Sequence, residues 1–114
     1  MPELLAHLVG DYILQSHWMA TEKIKRWWPA FLHGLTYTLP FLFLTTDIWR
    51  LAIIAGTHMI IDRYRLAKWV ARIKNWMFTE SGYPEETPAW LWVWLMIITD
   101  NTIHLLINHF VLNF

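Results

Sequence analysis

Apolar residues run in long blocks along this chain, and three blocks approach the roughly 20 residues that a transmembrane helix needs. They are Ala30 to Thr46, Ile48 to Ile61 and Ala89 to Leu112. The last opens with Trp90, Trp92 and Trp94, as a helix entering through a membrane interface does, and Pro88 stands just before it, where a helix start tolerates proline. The first segment, Pro2 to Ala20, is apolar on one side and carries His7, Asp11 and Gln15 on the other, so it reads as an amphipathic or membrane-embedded helix. It is not expected to be a signal peptide, because it opens Met1-Pro2-Glu3 instead of with a basic stretch. Between Arg65 and Met77 the apolar positions Leu66, Trp69, Val70, Ile73 and Met77 recur at helical spacing with cations opposite, the pattern of a helix lying on an anionic inner leaflet.

The expected fold is therefore all-α: a polytopic membrane helical bundle of three to four short transmembrane or membrane-embedded helices plus one basic amphipathic interfacial helix. The helices are placed at about 3–20, 30–46, 48–62, 65–78 and 89–112. A length of 114 residues makes this a single integral membrane domain over 1–114.

Composition narrows the chemistry. The chain is 56% hydrophobic and 16% charged, which excludes intrinsic disorder and exceeds what a small soluble domain can bury. The absence of cysteine excludes a disulfide framework, a thiolate nucleophile and a sulfur-ligated metal. A net charge of zero gives no reason to expect nucleic acid, and the nine tryptophans are read as interface anchors. The cations are local: Lys23, Lys25 and Arg26 in one stretch, Arg63, Arg65, Lys68, Arg72 and Lys74 in another. The positive-inside rule turns both toward the cytoplasm and implies a multi-pass protein of the inner membrane.

Polar residues inside the apolar segments carry the candidate chemistry. Three His/Asp pairs lie four residues apart, His7 with Asp11, His58 with Asp62 and Asp100 with His104. Random placement gives about 0.4 such pairs, and this spacing puts both members on one helix face. His33 adds a fourth helix, with Tyr37 four residues on, and Asn108 follows His104 at the same interval. A carboxylate held in a membrane costs at least about 2.5 kcal/mol, so Asp11 and Asp100 require a compensating partner. A divalent cation supplies one. His7, Asp11, His33, His58, Asp62, Asp100 and His104 form a ligand set suited to one or two zinc, manganese or iron ions.

Such a site makes hydrolysis the natural reaction class. Asp11, Asp62 and Asp100 are the candidates for a bridging ligand or base, Lys23 and Arg63 for a phosphate clamp, and Gln15 and Tyr37 for orienting ligands or substrate. No glycine-rich phosphate loop and no serine elbow is present. The expected activity is that of a membrane-embedded hydrolase acting on a phosphate-containing lipid or nucleotide near the cytoplasmic face. Membrane lipid is the expected partner, and so short a chain leaves room for a homodimer or higher oligomer that completes the site across its interface. Two other readings fit the same stripes: a non-enzymatic protein that packs helices or binds a partner, and a proton or ion pathway.

The run from Leu5 to Gln15, with Trp18, Met19, Ala20 and Lys23 after it, resembles a family of small polytopic membrane proteins of unknown function from bacteria and their phages. His33, the segment His58-Met59-Ile60-Ile61-Asp62-Arg63 and the segment Asp100-Asn101-Thr102-Ile103-His104 carry its other marks. The likeness departs at Asn101, where glutamine is expected. The resemblance adds little mechanism. Its ligand pattern is similar to that of membrane-bound metal-dependent hydrolases, and a phage setting implies roles in exclusion or defence.

Overall fold

The computed structural model describes residues 2–114. No strand occurs among them; the helices are α1 (Pro2–Leu8), α2 (His17–Glu22), α3 (Trp27–Thr38), α4 (Ile48–Tyr64), α5 (Leu66–Lys74) and α6 (Ala89–Asn113), with a π turn at Val9–Ile13 and a 3-10 turn at Leu39–Phe43.

The single helix expected over 3–20 is broken. Gln15 turns its amide back onto the Asp11 carbonyl, and Ser16, in extended conformation, accepts from the Met19 N–H and caps α2. Serine does this readily because its hydroxyl replaces the missing partner of a helix's first N–H groups. The helix expected over 30–46 also ends early. Pro40 sits in the 3-10 turn that follows Thr38, and a proline there cannot continue the α-helical ladder. α4, α5 and α6 occupy the segments expected at 48–62, 65–78 and 89–112, with Arg65 in the left-handed region separating α4 from α5.

Among these helices one, α6, is long and apolar enough to cross a membrane. Its 25 residues reach about 37 Å at 1.5 Å per residue, against a hydrocarbon core of about 30 Å. α3 and α4 have 12 and 17 residues. Of the expected three or four spans, helix length and composition show one among the described residues, and the turns at Ser16 and Pro40 divide what the apolar blocks left continuous.

The chain forms two compact units, Met1–Tyr64 with His104–Phe114, and Arg65–Ile103, the boundary falling inside α6. In the first unit the apolar core is small: Tyr37, Phe41 and Ile54 are fully buried beside Ala6, with Leu51, Val111 and Leu112 against them. Next to this core the same unit buries His7, Asp11, His33, His58, Asp62, His104 and Asn108. Large apolar side chains point outward instead, among them Trp28, Phe31, Leu35, Trp49 and Ile53. Polar groups inside and apolar groups outside reverse the usual soluble arrangement.

Candidate metal centre

Three segments meet in the first unit. Gly10 lets the π turn lie directly on α3: a Cβ there would stand 2.6 Å from Tyr37 Cδ2 and 3.0 Å from the Tyr37 carbonyl oxygen. That contact brings Asp11 to His33. π turns are rare and recur at functional sites, since the extra residue redirects one side chain. α4 packs along α3 and contributes His58 and Asp62, one turn apart on the same face.

Asp11, His33, His58 and Asp62 are all buried and offer four ligand atoms that lie within 4.8 Å of one another. His33 Nε2 is 3.0 Å from Asp11 Oδ1 and 3.3 Å from Asp62 Oδ2. His58 Nε2 is 3.1 Å and 3.0 Å from the same two oxygens and 2.8 Å from His33 Nε2. Tetrahedral ligands at about 2.0–2.1 Å from a zinc ion would be separated by roughly 3.3 Å. Five edges of such a tetrahedron are therefore close to the required length, and the donor set of two imidazoles and two carboxylates suits a borderline metal.

Behind these four atoms stands a layer that holds them. Asp62 uses its other oxygen, Oδ1, to accept from His104 Nε2 at 3.2 Å, and His104 Nδ1 lies 3.1 Å from His58 Nδ1. A neutral His104 that donates to Asp62 has a lone pair at Nδ1, which accepts from His58 Nδ1–H. His58 is then left with a lone pair at Nε2, aimed at the cluster, as a ligand requires. On the other side Asn108 Nδ2 donates to the Tyr37 hydroxyl at 2.8 Å, and that hydroxyl bonds His7 Nδ1. His7 Nε2 faces Asp11 Oδ2 at 3.6 Å. The Tyr37 ring stacks on His58 with centroids 3.7 Å apart and planes 12° from parallel.

The structure thus sorts the residues singled out in the sequence. Asp11, His33, His58 and Asp62 converge. His7 and His104 lie against the carboxylates, His104 also offering a ligand atom within 4.8 Å of one on Asp11, and Tyr37, expected near substrate, is fully buried as a support of His7 and His58. Lys23 reaches the site, with Nζ 2.9 Å from Asp62 Oδ2. Arg63 is used elsewhere: it donates to the Ile24 carbonyl at 2.7 Å and lies over the Trp27 ring. Gln15 bonds the Asp11 backbone. Asp100 is half-buried on α6, one turn before His104 and in the second unit. The sequence reading missed Gly10, and no spacing signal marks it, because its role depends on a contact with Tyr37 far along the chain.

The model of a family described as "Protein of unknown function (DUF3307)" matches residues 1–83, a stretch that contains all four convergent residues. No curated protein and no solved structure matches the chain.

Proposed function

Because the chain belongs to the DUF3307 family, whose function is unknown, its chemistry has to come from its own residues, and we propose that it is a membrane-embedded metal-dependent hydrolase. Asp11, His33, His58 and Asp62 would hold one divalent ion, zinc best matching the donors and manganese or iron next. The carrying observation is the set of five donor separations between 2.8 and 3.3 Å. Bound there, the ion supplies Lewis-acid polarisation of a phosphoryl oxygen and activation of water.

Charge balance points to the substrate class. Two carboxylates neutralise a divalent ion, and the Lys23 ammonium on Asp62 then adds one positive charge at a site whose carboxylate side chains are 9% and 4% exposed. An anionic ligand removes that excess, and a phosphate ester of a lipid or nucleotide fits. Lys23 would meet it, being the cation held at the cluster; Arg63 is bound to Ile24 and Trp27. The outward apolar side chains and the length of α6 support a membrane setting, with the basic stretches on the cytoplasmic side. Several crossings and a homo-oligomer belong to this proposal as well.

A second reading draws on the completeness of the donor set. Structural metal sites are closed by four protein ligands, whereas catalytic ones keep a position open. On that reading the ion is a non-enzymatic clasp between the π turn, α3 and α4.

Elemental analysis of the detergent-purified protein beside Asp62→Ala tests the metal. One equivalent of zinc, manganese or iron that is lost in the variant supports the site. A protein that stays metal-free after exposure to each ion sinks it. Phosphate-ester and lipid-pyrophosphate hydrolysis by the loaded protein then separates the enzyme from the clasp.

A further inference from the structure

Within the second unit α5 is turned inside out. Its small residues Ala67 and Ala71 are buried, whereas Leu66, Trp69, Val70 and Ile73 stand on an exposed face, Ile73 at 61%. The loop after the helix enforces this. Gly82, at φ 80°, lies so close that a Cβ would be 2.8 Å from Ala71 Cβ. Asn75 Nδ2 donates to the Gly82 carbonyl and Arg72 Nε to the Thr79 carbonyl, while Lys68 pairs with Glu80. The protein side of α5 is thereby filled by backbone and alanines, and no rotation of the helix can bury its large residues without breaking these bonds.

The outward face has a marked charge setting. No acidic residue occurs between Arg65 and Phe78; Arg65 and Lys74 stand exposed at other angles of the helix than the apolar stripe, while the side chains of Lys68 and Arg72, 14% and 15% exposed, are turned to Glu80. Arg72 lies over the Trp69 ring, and Trp76, just past the helix end, is 80% exposed. Apolar residues flanked by exposed cations with tryptophan at the margin are what a helix lying in the plane of a lipid surface needs: the stripe enters the acyl boundary, and Arg65 and Lys74 meet headgroups.

We propose that the Leu66–Val70–Ile73 face of α5 is seated in an anionic lipid surface, with the Thr79–Tyr83 loop as the strap that keeps it turned outward. This rests on the membrane setting of the proposed function and is independent of the metal centre.

The chain has no cysteine, so single nitroxide labels can be placed by Leu66→Cys, Val70→Cys and Ile73→Cys, with Glu86→Cys in the acidic loop as reference. The full chain is reconstituted in phosphatidylcholine vesicles with and without phosphatidylglycerol. The expected result is a several-fold preference for collision with oxygen over a water-soluble nickel chelate at the three α5 positions, the reverse at Glu86, and a fall in that preference when phosphatidylglycerol is omitted. Preference for the nickel chelate at the α5 positions overturns the proposal by placing the face in water. Exclusion of both reagents overturns it by placing the face under protein, as in a dimer. An oxygen preference that ignores lipid charge overturns the anionic surface.

Discussion

The Nε2 atoms of His33 and His58 stand 2.8 Å apart with an aspartate oxygen within 3.3 Å of each. Two imidazole nitrogens approach so closely through one shared proton or around a common cation, and the carboxylates beside them stabilise either. What sets this pair up lies outside it, in the contacts of His58 with His104 and Tyr37.

On the proposed metal reading, His104 matters through its hold on Asp62 and His58. His104→Ala removes the donor to Asp62 Oδ1 and the acceptor for His58 Nδ1. Metal affinity, read by competition with a chromophoric chelator, is expected to fall roughly 10–100-fold while helix content by circular dichroism is kept. Unchanged affinity would count against a role for His104 in orienting His58.

Gly10 provides the steric test. In Gly10→Ala the new methyl meets the Tyr37 ring and its backbone oxygen, and such overpacking costs about 1–3 kcal/mol. Gly56, on α4, has nothing within 4 Å of the position of a Cβ, so Gly56→Ala is expected to be neutral or to stabilise by up to about 1 kcal/mol. Thermal unfolding in detergent should separate the two variants in that order, and Gly10→Ala should also weaken metal binding, since Asp11 is its neighbour.

A pH effect is expected in the second unit. The hydrogen bond from Lys68, and then its charge, hold the Glu80 carboxyl below its ordinary value of 4.5, with Arg72 adding to this. The folded form thus favours the carboxylate. Its stabilising contribution is present above the ordinary pKa and is lost as pH falls through the depressed one. Glu80 is exposed, so the effect on global stability is small. The side-chain NMR titration of Glu80 should shift upward in Lys68→Ala; an unmoved midpoint would remove Lys68 as the cause.

The sequence made the polar stripes readable because helical periodicity places residues four apart on one face. His7 with Asp11 and His58 with Asp62 do face each other. Spacing does not reveal which stripes meet. That depends on the packing of α3 on α4 and on the close approach at Gly10, both long-range, and so the division between the four converging residues and the layer of His7, Tyr37, His104 and Asn108 was not legible. The broken first helix was hidden for a related reason. Ser16 and Gln15 read as members of an amphipathic pattern until their hydrogen bonds show them ending one helix and starting another.

The donors come from the π turn, from α3 and from the end of α4, so no short peptide of this chain contains the site. Asp11 precedes Asp62 by about fifty residues, so the polar cluster is complete only when α4 has formed and docked on α3. An ion captured at that moment would join the three segments in one step, and its binding energy would be folding energy. Metal supply would then act on how much of the protein accumulates, as a checkpoint on assembly, before it acts on any reaction the finished protein performs.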